Sequence, residues 1–229
     1  MTETNVRPAR RTVLSTGLGL ACGFALWGTG VPDASAAPAA GARHWTGKKS
    51  ANGWPVVSEA AAHHVEGSPA TLTAVDGDVA TVLLYVARRF HYEIDSLGKG
   101  DIHGHTTRTA VVADYESNHL SATAISIRPA MYPAGAADCL FPQQVAVVRD
   151  ILTECEGVVR WGGDDKTAPQ QGHFQIDVAP GSAILKRVAG KINGWDDTPG
   201  EGAGTPQDVF SRGRRTAAKR LADRQRATA

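Results

Sequence analysis

Eight histidines and three cysteines are the side chains of this 229-residue chain best suited to hold a metal or attack a substrate. Imidazole and thiolate bind zinc, and carboxylates either bind it or move protons. Two segments gather these types. Residues 117–127, SNHLSATAISI, carry His119, Ser121 and Ser126, with Arg128 directly behind. Residues 158–178, VVRWGGDDKTAPQQGHFQIDV, carry Asp164, Asp165, Gln170, His173 and Asp177. Glu116 stands three before His119, within reach only if the chain turns there. Asp177 lies four residues from His173, about 13 Å along a strand and beyond the reach of one metal. Asp164 and Asp165 either stabilise the turn at Gly162-Gly163 or approach a metal through loop folding. His103 and His105 are spaced to share a face, a pattern that exposed loop histidines also give. His91 in RFHYEI suits a helix end, and His63-His64 has no evident partner.

The composition narrows what such a site could serve. A net charge of +1, 42% hydrophobic and 21% charged residues are those of a globular chain, which excludes wholesale disorder and argues against nucleic acid as the main partner. Arg10 and Arg11 precede an apolar stretch from Leu14 to about Val31, and PDASAAPAA follows. This is the layout of a secretory signal peptide, with paired arginines of the twin-arginine kind. Cleavage after Ala34-Ser35-Ala36 makes residues 1–36 the signal and Ala37 the mature N-terminus. The expectation is a secreted, extracytoplasmic protein with no stable membrane span once the signal is cleaved. Cleavage also removes Cys22 and leaves Cys139 and Cys155. In an oxidising compartment that pair is expected to form a disulfide, the alternative being two free buried thiols.

The elements that must position these groups follow from periodicity. Residues 37–51 are small, basic and patternless, and read as a linker. Residues 52–195 read as the domain, and 196–229 as a flexible linker and a basic C-terminal helix. Asp78 is placed to cap a helix through ATVLLYVARRF, with Val82, Leu83, Val86 and Phe90 along one face. FPQQVAVVRDILTEC starts a second helix at Pro142 and stops it at Gly157, and SAILKRVAGKI is a third opened by Ser182. RTAVVADY, LSATAISI, VVRW and HFQIDV read as strands. Their order is not a strict alternation with the helices, which predicts an α+β fold with a small antiparallel sheet flanked by helices. The tail holds 7 Lys/Arg against 5 Asp/Glu over residues 194–229. It is either a solvated helix or a contact for anionic cell-surface polymer or lipid headgroups.

Taken together, SNHLSATAISI, the segment 158–178 and NGWPV near residue 52 resemble the zinc peptidoglycan peptidases, the D-alanyl-D-alanine carboxypeptidase and L-alanyl-D-glutamate endopeptidase family. The resemblance spans residues 52–192. It implies a carboxypeptidase-like fold and a zinc held by two histidines and an aspartate, with an acidic residue three before the second histidine as general base. His119 and His173 match the two histidine ligands. Ser126 stands at the aspartate position, Gln170 at the general-base position, and Ala122 where a glycine is usual. A hydroxyl is a poor substitute for a carboxylate on zinc, and a glutamine cannot relay a proton. The implied zinc is therefore weak. The leading expectation is a secreted peptidase-like protein with a degenerate zinc site that binds cell-wall peptide without efficient hydrolysis. In it Arg128 and Ser121 belong to the ligand site, Arg128 to pair with a ligand carboxylate. The competing expectation is an active carboxypeptidase or endopeptidase with a substituted third ligand. A third is a structural envelope protein whose cleft is filled by side chains.

Overall fold

The computed structural model describes residues 41–228, so the expected signal peptide lies outside the described residues. In chain order the elements are β1 (Arg43–His44), β2 (Ala61–His64), β3 (Thr71–Ala74), α1 (Asp78–Glu93), β4 (Ile102–His103), β5 (Ala110–Val111), β6 (Ala124–Ile127), α2 (Pro142–Glu154), β7 (Val159–Trp161), β8 (His173–Ile176), α3 (Ala183–Asp196) and α4 (Arg212–Ala227). Short 3-10 turns at Asp114–His119 and Gly162–Asp164 precede β6 and follow β7. The central sheet has four strands in the order β4-β6-β8-β7, every neighbour antiparallel. Two small antiparallel pairs, β1-β5 and β2-β3, stand apart from it. Helices with small antiparallel sheets make this a mixed α+β architecture.

The two faces of the central sheet have different jobs because side chains alternate along a strand. Ile125, Ile127, Phe174, Ile176, Val159 and Trp161 are all buried and belong to one apolar cluster with Val82, Leu83, Val86 and Phe90 of α1 and Val148, Ile151 and Leu152 of α2. Phe90 meets Phe174 edge-on at 6.3 Å between ring centres. The opposite face carries Ser126, His173 and Gln175, which are buried but polar.

α1 and α2 form where the apolar spacing places them. α1 begins at Asp78 itself, with Gly77 at φ +81° as the capping residue. The carboxylate therefore stands in the first turn, where the helix dipole favours it. Two expected strands are shortened. LSATAISI becomes a strand only from Ala124, since Ala122 takes φ +55° and the chain before it turns. RTAVVADY keeps two strand residues before the 3-10 turn begins.

Three organisational expectations are corrected. The segment expected to be a linker contributes β1, which pairs with β5, and Ser50, which is buried and donates to Ser121 Oγ at 2.8 Å. The expected basic C-terminal helix forms, but it is docked rather than solvated: Leu221, Ala222 and Gln225 of α4 are buried. Gln225 Nε2 donates to the Val159 carbonyl at 2.8 Å, and Arg214 pairs with Asp150 and Glu154 of α2. Finally, Cys139 and Cys155 are both free. They flank α2, whose 13 residues rise about 20 Å, whereas a disulfide needs Cα atoms within about 7 Å. Among the described residues no helix is long and apolar enough to cross a membrane.

Candidate functional site

Antiparallel register sets the site. His103 of β4 pairs with Ser126 of β6, and Ser126 pairs with His173 of β8, so the three stand in one row on the polar face. His119 arrives from elsewhere, at the end of the 3-10 turn that leads into β6. The turn back through Ala122 lays its ring over the row, 5.2 Å from the His173 ring at 70°.

Each ring is fixed by its outer nitrogen. His119 Nδ1 donates to the Gly104 carbonyl at 2.8 Å. In the neutral ring Nε2 therefore carries the lone pair, and it faces Ser126 Oγ at 3.2 Å. His173 Nε2 donates to Gln175 Oε1 at 3.0 Å, and that oxygen also accepts from Asn118 Nδ2 at 2.9 Å. His173 Nδ1 is thus the acceptor, and it faces the same Ser126 Oγ at 3.3 Å. Tyr115 covers the other side of His173, 4.6 Å between ring centres. Two imidazole lone pairs and one hydroxyl oxygen converge, with a single hydroxyl hydrogen among them. That hydrogen satisfies one imidazole and leaves the other facing oxygen lone pairs.

Electrostatics agree with neutral rings. Burial pushes His173 down to about 3, helped by the neighbouring His119. Burial also lowers His119 to about 4, against the opposing pull of the Gly104 carbonyl. The site opens into a cleft of about 590 Å³ lined by His119, Ser126, Gln170, His103, His105 and Arg108. His173 is fully buried behind Ser126, which separates it from the cleft.

The fit to a metal is partial. A tetrahedral zinc with bonds of about 2.0–2.1 Å has ligand-to-ligand edges of about 3.3–3.4 Å. The contacts of 3.2 and 3.3 Å from Ser126 Oγ to the two nitrogens match those edges, and they are long for O–H···N hydrogen bonds. The donor set lacks charge. Among the described residues no cluster of three His, Cys, Asp or Glu side chains is placed to hold a metal. The carboxylates that could have substituted are engaged elsewhere. Glu116 lines the cleft but accepts from the Val112 backbone N–H at 2.7 Å. Asp164 is paired with Arg149 and Arg226, and Asp165 accepts from the backbone N–H groups of Thr167 and Ala168. Asp177 is paired with Arg160.

The structure thus brings together His119, Ser126, His173 and Gln170, and it separates two other expected site residues from them. Ser121 is fully buried and bonded to Ser50, Thr123 and the Asn118 carbonyl, so it braces the turn rather than facing a ligand. Arg128 is turned away from a ligand role. It has φ +42°, which ends the strand alternation that would have kept it on the face of Ser126. Its guanidinium is held by Asp95, by Asp101 at 3.0 Å and by the Ser96 carbonyl. The cation that does line the cleft is Arg108, exposed and with no carboxylate partner among the described residues. Nothing in its local sequence marks it. Gln175, two residues after His173 on the same strand face, is the missed residue that alternation alone could have found.

Comparison with protein-family models, with curated proteins and with solved structures finds no match to this chain.

Proposed function

We propose that this is a secreted protein built like the zinc peptidoglycan peptidases, which binds a cell-wall peptide in the cleft over His119, Ser126 and His173 without hydrolysing it efficiently. The convergence of both imidazole lone pairs on the Ser126 hydroxyl carries the reading. It joins a histidine, the residue seven further on and a histidine late in the chain, the three positions that the resembled family uses for zinc. Ala122 at φ +55° supports it too, because that family has a glycine there and only glycine adopts this conformation without strain.

His119 Nε2, His173 Nδ1 and Ser126 Oγ are the atoms that would hold a zinc. Bound zinc supplies a Lewis acid to polarise a peptide carbonyl and acidify water. The Gly104 carbonyl and Gln175 keep the two rings in the tautomers this needs. Ser126 brings no negative charge, so the ion would be held weakly. Gln170, at the sequence position where the resembled family has its proton acceptor, lines the cleft, and an amide does not take up a proton at neutral pH. Loss of a general base alone lowers a rate by about 10²–10⁴-fold. Arg108 and the histidines of the rim are left to bind, and a guanidinium suits the carboxylates of a stem peptide.

The test is calorimetric titration of the purified protein with zinc and, separately, with a muropeptide bearing the full stem, alongside a hydrolysis assay. Muropeptide binding weakened by Arg108→Gln, with weak zinc binding and no turnover, is the expected result. Stoichiometric zinc and chelator-sensitive cleavage would replace it with the active-enzyme reading. No muropeptide binding at all would remove it.

A further inference from the structure

α4 breaks a local rule that most helices obey. The N-terminal end of a helix favours acids, since its free N–H groups give it a partial positive charge. The first turn of α4 has no acid and instead carries Arg212, Arg214 and Arg215. Over its 16 residues the helix holds seven cations against the single acid Asp223.

Arg214 is accounted for, because it is bonded to Asp150 and Glu154 and joins α4 to α2. The others divide by angle. At about 100° per residue, Arg212, Arg215, Lys219 and Arg226 fall within an arc of about 60° and run about 21 Å along the axis. Arg220 and Arg224 point to another side. Arg212 and Arg215 have no carboxylate partner among the described residues, and Lys219 has only the exposed Asp223 at 2.7 Å, whereas Arg226 is held by Asp164 at 2.8 Å. Like charges three and four residues apart destabilise a helix.

The stripe borders a groove of about 830 Å³ between α4 and the side of α2. Val209, Ala218 and Ala222 form its narrow apolar floor, Ala146 and Arg149 its far wall, and exposed Phe210 one end. The groove is walled by two helices, and its floor of one valine and two alanines is too slight to anchor a partner helix with large apolar side chains. A thin chain with an anionic group at every repeat fits both the shape and the charge. Guanidinium groups pair with phosphate and carboxylate alike. Phosphate fits the stripe better because its tetrahedral oxygens can reach two of these cations at once, whereas the two oxygens of a planar carboxylate are taken up by one guanidinium.

We infer that the α4–α2 groove binds a linear, single-chain polyanion carrying phosphate groups, along Arg212, Arg215 and Lys219. The site is separate from the histidine cleft and does not depend on its chemistry.

The experiment measures binding of long-chain inorganic polyphosphate to the full chain between 50 and 200 mM salt. With three contacts on a single strand, affinity should fall about 20-fold over that range. The triple variant Arg212→Gln/Arg215→Gln/Lys219→Gln should bind at least tenfold more weakly and lose most of the salt dependence. Its melting temperature should hold or rise, because the like-charge repulsion is relieved. Arg220→Gln/Arg224→Gln, on the other side of the helix, should bind polyphosphate as the wild type does. Undiminished binding by the triple variant overturns the inference, as does failure of the wild type to bind at 50 mM salt. Tighter binding of poly-glutamate, duplex DNA or phosphatidylglycerol vesicles than of polyphosphate overturns it as well.

Discussion

Ser126 is the residue on which the chemistry of the cleft turns. Its hydroxyl stands where two neutral imidazoles meet, and it can satisfy only one of them. Replacing it with aspartate, together with Gln170→Glu, supplies both the missing charge and a proton acceptor. Zinc affinity of the double variant, followed by competition with a chromophoric chelator, should rise at least tenfold over wild type. The same two rings set an acid limit on stability. Their folded-state values of about 4 and about 3 lie below the ordinary histidine value of 6.5. The unfolded chain therefore binds more protons than the folded one between those limits, and stability falls as pH drops below 6.5. Unfolding at pH 5 should take up between about one and two protons from these rings, His173 holding the larger share because it is fully buried. Urea midpoints between pH 7 and pH 5 measure this, and His173→Gln should flatten that slope if the mutant folds.

At the scale of elements, close backbone approach holds the cleft wall in place. Gly104, whose carbonyl orients His119, lies against β3, and a Cβ there would meet the Thr73 carbonyl oxygen at 2.3 Å. Gly104→Ala should cost about 1–3 kcal/mol in chemical denaturation, as overpacking does. It should also weaken metal binding by shifting the carbonyl. α2 decides the fate of the cysteines by keeping its ends apart. Cys155, fully buried at its C-terminal end, has its thiol pushed up to about 12 by burial, whereas Cys139 is half-buried. A thiol reagent at pH 8 should modify Cys139 in the native protein and leave Cys155 untouched until unfolding. Mass spectrometry of the labelled peptides reads both, and protection of the two together would restore the disulfide.

For the whole molecule, α4 is part of the core rather than an appendage. Asp150 is nearly inaccessible and is shared by Arg89 of α1 and Arg214 of α4, so one carboxylate ties three helices. At the other end Asp164 receives Arg149 and Arg226, and Arg149 lies over the Trp161 ring at 4.7 Å. Ending the chain after Ser211 uncovers the faces that Leu221 and Ala222 bury. It also removes one cation each from Asp150 and Asp164. The two cations are partly exposed and each carboxylate keeps a second arginine, so these losses stay below the ~3–5 kcal/mol of a fully buried pair. Added to the uncovered apolar face, they should make the truncated chain melt well below the full one in calorimetry. Arg214→Ala alone should cost less, about 1–2 kcal/mol, since Arg89 still serves Asp150 and the side chain is partly exposed.

What the sequence determined by itself is local. The apolar spacing of Val82, Leu83, Val86 and Phe90 dictated α1, and Pro142 with Gly157 bounded α2, because helix period and terminators act within a few residues. The pairing of chemical types at 119, 126, 170 and 173 was also legible, through likeness to a known pattern. Tertiary structure decided what depends on register and on distant partners. Only antiparallel pairing of β6 with β8 sets Ser126 beside His173, and only the turn at Ala122 brings His119 over them. Arg128 stands two residues after Ser126 and is expected in the ligand site, yet its positive φ and the carboxylates of Asp95 and Asp101 turn it away. Arg108 and the buried face of α4 carried no local mark. Their roles come from surfaces that residues far away in the chain complete, and a one-dimensional pattern does not contain those surfaces.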